Sequence, residues 1–372
     1  PIELIGLDTQ PYQPIKETHQ NSEETVEEEL ENIKLQKSDS IFAHLHLHSQ
    51  YSVLQATPNI NHLVQKAVDE NMPAVTLTDH SNMFGAFKFV DTVLNHPINK
   101  ELNKGEQMKL KPILGCELNV CKNHQDKSLQ DNGAQIPFLA KNKNGYHNLA
   151  KLSSIGYVDG FYYVPRIDKE LIQQYKDDLI AVTGNLYGEI PSLILNVGEK
   201  QAEEAFVWYH EQFGDDFYVE LMRHGDATDD EREREDVVNQ TLLRFAEKYG
   251  VKYFASNNVY YLSREDANAH DILLCVKDSE YQSTPKGRGR GFRFGFPNEE
   301  FYFKSSTEMQ ELVESLASQG AVALTNKRLI EQQKKLFEAF IKLIATAIDK
   351  KSSYTGGHCE RVPKIAMLLA AA

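Results

Sequence analysis

Apolar and polar positions change their spacing twice along the 372-residue chain. Residues 1–40 hold no sustained apolar period, and Ser22–Asn32 is mostly carboxylate, which predicts an acidic extension or linker. Residues 41–281 alternate short β-rich runs with helical stretches. That alternation predicts an α/β domain on a parallel sheet, either a barrel or a doubly wound sheet. From residue 315 onward apolar residues recur at helical spacing, which predicts a helical tail.

The alternation can be divided into individual elements. Strands are predicted at Ile41–His48, Ala74–Asp79, Pro112–Val120, Asp178–Thr183, Phe217–Arg223 and Val251–Ser256. Helices are predicted at Ile60–Asn71, Tyr146–Ile155, Glu199–Phe213 and Glu231–Tyr249. Residues 41–314 are therefore expected to form one domain, and residues 315–372 a tail in which Ala317–Asp349 is one long amphipathic helix.

Composition narrows the class of protein. Hydrophobic residues at 41% and charged residues at 25% are typical of a globular protein, and no run of about 18 apolar residues predicts a membrane span. Four scattered cysteines are too few for a disulfide framework, which favours a reducing cytoplasm. The net charge of −14 argues against a surface that coats nucleic acid, so any DNA contact must come from a local patch.

Three histidines alternate in the first predicted strand. His44, His46 and His48 should share one strand face, where neutral imidazoles are good ligands for zinc or another transition metal. A polar strand face whose histidines are satisfied by hydrogen bonds is the alternative interpretation.

Further candidate ligands follow other predicted strands. His80 ends the second, Glu117 lies in the third, and His224 follows the strand at Phe217–Arg223. Because the carboxyl ends of parallel strands share one mouth, these side chains are expected to gather there. Cys116 should point to the opposite face of its strand, into the core.

Several unusual segments occur in the order found in PHP domains. They are HLHLHSQYSVLQA, TLTDHSNMFGAFKF, KPILGCELNV, NGYHNLAKLSS, GFYYVPRID, GNLYGEIP, ELMRHG and ASNNVYYLSREDANAHDILLCV. Residues 42–312 resemble specifically the PHP domain at the front of the alpha subunit of bacterial DNA polymerase III. The resemblance implies a PHP-type distorted (β/α)7 barrel with a metal cluster at its C-terminal mouth. In active relatives that cluster serves phosphoester hydrolysis, including 3′–5′ exonuclease activity.

The resemblance also implies a set of metal ligands, some of which this chain lacks. The matching positions are His46, His48, His80, Glu117 and His224. The departing positions, where the family carries other ligands, are Gln55, Gln135, Asn258 and Tyr260. Amide and phenol oxygens are poorer ligands than carboxylate and imidazole. We therefore expect partial occupancy or none by zinc, manganese or magnesium, at best one or two ions, and little hydrolysis.

The implied role is a replication protein segment in which a degenerate PHP domain acts as scaffold and docking surface. The implied partners are DNA and other replicase subunits, such as a proofreading exonuclease or a sliding clamp. An active metal-dependent phosphoesterase is one alternative, and a signalling phosphohydrolase fragment is another.

A basic loop is a second candidate site. Its cations are Lys286, Arg288, Arg290 and Arg293, interleaved with glycines and aromatic residues. Such a loop can follow a phosphate backbone or meet an acidic partner. A flexible solvated loop is the alternative.

The tail resembles other families. ESLASQGAVALTNKRLIEQQKKLFEAF is similar to the last helix of a GAF domain, and IDKKSSYTGGHCERVPKIAMLLA to the opening of an HD-type phosphohydrolase. His358 matches the first HD ligand, but an exposed loop histidine is the favoured interpretation. The His-Asp pair of that family does not appear before Ala372. We expect a chimeric or truncated junction, with its seam between residues 305 and 321, rather than a working bifunctional enzyme.

Overall fold

The computed structural model describes residues 42–100, 108–224, 230–287 and 289–316. The predicted acidic extension at 1–40, Arg288, the long helix at Ala317–Asp349 and His358 lie outside the described residues.

The described chain alternates strands and helices, numbered here in chain order. The strands are β1 (Ala74–Leu77), β2 (Lys111–Cys121), β3 (Ala134–Ala140), β4 (Ile167–Asp168), β5 (Leu179–Val182), β6 (Phe217–Met222) and β7 (Lys252–Ser256). The helices are α1 (Ile60–Asp69), α2 (Ala86–Asn95), α3 (Pro97–Lys100), α4 (Lys143–Val158), α5 (Lys169–Tyr175), α6 (Glu189–Asn196), α7 (Glu199–Phe213), α8 (Asp230–Tyr249) and α9 (Ala267–Asp278). Short 3₁₀ turns occupy Gly214–Asp216 and Arg264–Asp266.

The strands form one mixed sheet in the order β1-β2-β3-β5-β6-β7, with β4 beside β2. Most neighbours are parallel, but β3 runs antiparallel to both β2 and β5. The expectation of a parallel sheet is therefore wrong at β3. Residues 122–133, which link β2 to β3, contain no helix. Antiparallel neighbours can be joined directly, whereas parallel neighbours need a long crossover connection.

A short segment joins the two ends of this sheet. Leu47 accepts a hydrogen bond from Thr78 N at 2.8 Å just after β1, and His46 O accepts one from Val259 N at 3.2 Å just after β7. A strand is predicted at residues 41–48, but its described part forms only a single bridge, between Leu47 and Val259. Few of its backbone groups form hydrogen bonds with the residues that follow β1 and β7. The result is the expected distorted barrel.

Apolar side chains pack on the sheet in two large clusters. The larger one includes Leu118 of β2 and Phe206 of α7, and the second joins α1, α2 and β1. Cys116 lies in the larger cluster with 0% exposure, as expected. The helical residues 306–316 add Leu312 and Leu316 to the same cluster. These helical residues therefore pack in the core of the domain.

Candidate metal centre

Three imidazoles surround one buried carboxylate at the mouth of the sheet. An oxygen of Glu117, in β2, lies 3.2 Å from His46 Nε2. The other oxygen lies 3.1 Å from His48 Nε2 and 2.9 Å from His80 Nδ1. None of the four side chains is more than 7% exposed. These spacings resemble those between atoms that share one ion at about 2.0–2.2 Å.

The ligand atoms of His46, His48 and Glu117 all lie within 4.8 Å of one another. His80 adds a close contact to Glu117 without belonging to that mutually close group. The sequence thus places its first-motif histidines and Glu117 together, and His80 beside them.

Each imidazole is held from behind by a second partner. Both oxygens of Glu220, in β6, lie 3.2 Å from His46 Nδ1, and the carbonyl oxygen of Val259 lies 3.2 Å from His48 Nδ1. The hydroxyl of Tyr260 lies 3.1 Å from His80 Nε2. Partners of this kind orient metal-binding histidines and select their tautomer. Here they turn the opposite nitrogen of each ring toward Glu117.

The charges of this cluster are strongly perturbed. Burial alone would lower the pKa of His46, but Glu220 and Glu117 raise it to about 10. Burial lowers the pKa of His48 to about 4. Burial opposes ionisation of Glu117, yet His80 and His46 hold the pKa of this carboxyl well below its usual value. Without an ion, the cluster is therefore a buried His46–Glu117 ion pair beside a neutral His48.

The neutral ring of His48 cannot donate a hydrogen bond to both of its contacts. It has one N–H for two contacts, yet its Nδ1 faces the carbonyl oxygen of Val259 and its Nε2 faces Glu117. Both partners accept, so in either tautomer one ring lone pair points at an oxygen lone pair. The buried Nε2 of His46 likewise makes no hydrogen bond to any described residue. A cation beside Glu117 would satisfy both nitrogens, so the donor set fits a divalent ion.

Asp79, at the end of β1, ties the first motif to the sheet. Its carboxylate accepts hydrogen bonds from Ser49 N at 2.7 Å, Ser49 Oγ at 2.8 Å and Ser52 Oγ at 2.7 Å. Burial raises the pKa of Asp79 to about 6. Asp79 thus fixes the turn that follows His48.

The other side of the cleft, called here the neutral side, is lined mostly by amide, phenol and apolar side chains, together with the paired His224 and Glu235 and the exposed Lys277. A cavity of about 180 Å³ is lined there by the four positions at which the chain is predicted to depart from the ligand pattern of PHP domains, Gln55, Gln135, Asn258 and Tyr260. Asn185 Nδ2 spans the two sides, at 3.2 Å from Glu117 Oε1 and 3.4 Å from Gln135 Oε1. The buried Oδ1 of Asn258 has no hydrogen-bond partner among the described residues. Gln135 reaches this end because antiparallel β3 begins where β2 ends.

His224 lines the same cavity but lies outside the cluster around Glu117. Its Nδ1 lies 2.6 Å from Glu235 Oε1, and its backbone N–H donates to Glu235 Oε2 at 2.6 Å. Its ring stacks on Phe301 at 4.2 Å between centroids. Of the other predicted ligands, His80 lines the same cavity as His224, and His224 itself is engaged by Glu235 of α8.

His44 does not reach the site. Its Nε2 lies 2.9 Å from Lys304 O, and its ring packs between Phe42 and Phe303. Burial lowers the pKa of His44 to about 4. For this histidine, the alternative of a buried ring outside the metal site describes the structure, with one hydrogen bond at Nε2 and no partner for Nδ1 among the described residues.

Two of the four cations of the basic loop, Lys286 and Arg293, form contacts within the domain. Arg293 is 4% exposed, and its guanidinium forms two hydrogen bonds with Asp271 at 2.9 and 2.8 Å. Lys286 contacts Phe296 O at 3.1 Å and Asp271 at 3.2 Å. Arg290 is exposed. The buried Arg293 holds the loop on α9 and does not present its charge to solvent.

Sequence reasoning missed the groups behind the candidate ligands. Glu220 stands in the ELMRHG segment four residues before His224, and an acid inside a buried strand was the available signal. Nothing in the sequence marked Asn185 or Glu235 as part of the site. An amide in a loop and an acid in a charged helix are both common on protein surfaces.

No described helix is long and apolar enough to cross a membrane.

Comparison with known proteins identifies the family. The PHP domain family matches residues 44–224. The DNA polymerase III subunit alpha of Borreliella burgdorferi is 38% identical over 294 residues, covering 77% of this chain and 24% of that protein. The proteins of the same description from Chlamydia trachomatis and Thermus aquaticus are 33% and 35% identical, covering 84% and 73% of this chain.

Among solved structures, a protein described as a metal-dependent phosphoesterase from Bifidobacterium adolescentis is similar, with 12% identity and a TM-score of 0.37. That similarity covers 69% of this chain and 93% of the other. The chain spans about a quarter of the length of the curated relatives it matches. It belongs to the PHP domains of the kind carried by the alpha subunit of bacterial DNA polymerase III.

Proposed function

We propose that this chain is the PHP region of a replicative DNA polymerase alpha subunit and serves DNA replication as a scaffold with a reduced metal site. The names of its relatives support the replicative setting, in which the protein would work in the cytoplasm. The polymerase activity of the whole relatives would then reside in the parts of those proteins that this chain does not match.

The observation that most supports this proposal is that three imidazoles contact the carboxylate of Glu117. His46, His48 and Glu117 would hold one divalent ion, with His80 as a fourth contact. A donor set rich in imidazole favours zinc over manganese or magnesium, which prefer oxygen ligands. When bound, such an ion supplies positive charge that can polarise a phosphoryl oxygen.

The neutral side of the cleft supports a reduced site. Gln55, Gln135, Asn258 and Tyr260 would offer only amide and phenol oxygens to a further ion. Burial holds the pKa of Tyr260 well above its usual value, so this phenol stays protonated. His224 would be left as a lone imidazole already held by Glu235. We infer at most one well-held ion and weak or no phosphoester hydrolysis.

A scaffold must present surfaces to its partners. We propose DNA and other replicase subunits, such as a proofreading exonuclease or a sliding clamp, as partners of this domain. Exposed rings of Phe84 and Phe87, at 64% and 83% exposure, support a docking role, and Arg290 supports a contact with DNA.

Elemental analysis of the dialysed chain tests the proposal, alongside an exonuclease assay with added manganese. We expect at most one ion per chain, lost in His46→Ala and kept in His147→Ala, which alters an exposed histidine of α4. Exonuclease activity should stay near background. Three tightly bound ions, or robust manganese-dependent hydrolysis abolished by His46→Ala, would contradict the proposal and favour an active phosphoesterase.

A further inference from the structure

Asn185 stands where the two sides of the cleft meet. It lies in the turn that follows β5, and its half-buried side chain lines the cavity of about 180 Å³ on the neutral side. Its Nδ2 donates to Glu117 Oε1 at 3.2 Å and to Gln135 Oε1 at 3.4 Å. One amide group therefore bridges the buried carboxylate of the candidate metal centre and a neutral residue of the opposite wall.

The direction of this amide is set by its partners. Tyr187 N donates to Asn185 Oδ1 at 2.7 Å, so the oxygen of the side chain already serves as an acceptor. A flipped amide would turn Oδ1 toward two other acceptors, the oxygens of Glu117 and Gln135, and would turn Nδ2 toward an N–H group. Only the observed direction pairs each donor with an acceptor, so the N–H groups of Asn185 point into the cleft.

The turn that carries Asn185 is fastened to β3. Gln135 N donates to Tyr187 O at 3.0 Å. Gly184 enters the turn with a φ of +77°, in the left-handed region, and a Cβ at this position would lie 2.8 Å from Gln135 O. This close approach of two backbones fixes the position of the amide beside Glu117.

The carboxylate of Glu117 has its acceptor positions filled. Oε1 faces His46 Nε2 and Asn185 Nδ2, and Oε2 faces His48 Nε2 and His80 Nδ1. Two carboxylate oxygens offer about four lone-pair positions, so these contacts use all of them. Three of the four contacts are imidazole nitrogens, which can bind a metal ion, whereas the amide N–H of Asn185 can only donate. The direction from Glu117 to the neutral side is thus taken by a hydrogen-bond donor.

We propose that Asn185 is a positioning residue whose amide takes the place of an ion shared between the two sides of the cleft. Glu117 Oε1 and Gln135 Oε1 are both acceptors, and they can lie against one group only if that group is a cation or a donor. The amide holds Glu117 in position for His46 and His48, so a metal site is preformed on that side alone. The inference rests on the proposed function and deepens it, because it assigns the reduced metal site to a donor that is present as well as to ligands that are missing.

Asn185→Asp tests this role, because it replaces the N–H donor by an oxygen of nearly the same size. In the full 372-residue chain, kept metal-free with a chelator, three acceptors would then face one another, and the melting temperature should fall by about 5 °C. Added zinc should restore it, and elemental analysis after dialysis should find one zinc ion more than in the parent chain. The visible spectrum of the cobalt-loaded protein should also change, since a further carboxylate would enter the coordination of the metal.

Asn185→Ala is a second variant, which removes the donor without adding a ligand or a charge. It tests the positioning role even where Asn185→Asp folds poorly. Its zinc affinity should be about tenfold weaker than that of the parent chain, as is typical when a group that orients a metal ligand is removed. The number of bound ions should not rise. A zinc affinity equal to that of the parent would overturn the positioning role.

Asn144→Asp is the matched control. Asn144 is exposed and donates to Asp178 at 2.7 Å, so the same change is made beside a carboxylate away from the cleft. An added ion and zinc-dependent recovery in Asn185→Asp alone support the proposal. If the parent binds one ion and Asn185→Asp gains none, the amide does not take the place of an ion, and the proposed reduced site still stands.

A parent chain that binds no zinc would contradict the metal site of the proposed function and leave the role of Asn185 to the measurements in chelator. There, a larger fall in melting temperature for Asn185→Asp than for Asn144→Asp supports the positioning role. Equal falls in the two variants overturn it.

Discussion

The two sides of one cleft differ in how their buried polar groups are arranged. On one side Glu117 is surrounded by three imidazoles, and Glu220 supports one of them from behind. On the other side the wall is made of amides and a phenol, and the remaining imidazole, His224, is bound to Glu235. Both sides draw on residues at or near strand ends of the same sheet.

The difference is therefore chemical and not architectural. A buried carboxylate surrounded by imidazoles is stabilised by a cation, whereas buried amides need only hydrogen bonds. A fold can lose the charged groups of one metal position and keep its barrel, because the amides that replace them need no ion to remain buried. The charged side is expected to be sensitive to single substitutions, and the neutral side tolerant of them.

The largest effect that we expect is a gain of bound metal when ionisable ligands are introduced on the neutral side. The triple variant Gln135→His, Asn258→Asp and Tyr260→His introduces two imidazoles and a carboxylate, the ligand types that the resemblance to PHP domains implies at these positions. It should gain at least one bound ion per chain, measured by elemental analysis after dialysis. Gln125→His, which adds an imidazole to an exposed loop, is the control and should gain none. An unchanged ion count in the triple variant would mean that the loss of ligands does not explain the difference between the sides.

Removing charge from the other side should destabilise the domain. Glu117→Gln keeps the shape of the side chain but leaves the buried histidines without their carboxylate, which should cost about 3–5 kcal/mol of unfolding free energy. Urea denaturation measures this loss. Glu203→Gln, which disrupts a partly exposed pair with Lys248, should cost less than about 1 kcal/mol. A loss in Glu117→Gln no larger than in this control would contradict the idea that the charged side depends on Glu117.

Substitution of Glu235, on the neutral side, should cause a smaller loss of stability than substitution of Glu117. Glu235→Gln weakens two short contacts to His224, so we expect a loss of about 2 kcal/mol in unfolding free energy. Metal content should not change, because His224 stands apart from the Glu117 cluster. Glu247→Gln, an exposed position on the same helix, should leave stability within about 0.5 kcal/mol of the parent chain. Loss of metal in Glu235→Gln would show that the two sides act as one site.

The smallest effect is expected outside both sides, where Asp271 holds the basic loop on α9. Although burial opposes ionisation of Asp271, its hydrogen bonds with Arg293 and Lys286 lower its pKa to about 2. A depressed carboxyl pKa stabilises the fold above its usual value of 3.8, and this contribution is lost as the pH falls toward 2. Pepsin should therefore cleave near Phe292 faster as the pH drops through this window. Asp271→Asn should already be cleaved quickly at pH 4, and equal cleavage of both proteins at pH 4 would contradict the role of the anchor.

Much of the barrel could be predicted from spacing alone. Helix α7 was predicted with its observed bounds, and β5, β6 and β7 within one residue at each end, because buried strands and amphipathic helices repeat apolar residues with distinct periods. Strand β3 was not predicted as an element. Its residues, Ala134–Ala140, carry a proline and follow a polar loop, and a hairpin neighbour leaves no crossover helix to mark it.

The sequence by itself determined the family, the main strands and helices, and which side chains could bind a metal, since residue type and order are properties of the chain. The placement of His46, His48 and Glu117 together followed from strand ends that share one mouth. Only the tertiary structure decided that His44 turns to Lys304, that Arg293 is buried against Asp271, and that Glu235 holds His224. These pairings join residues up to 260 positions apart, and the closure of the barrel brings such groups together in ways that no local pattern records.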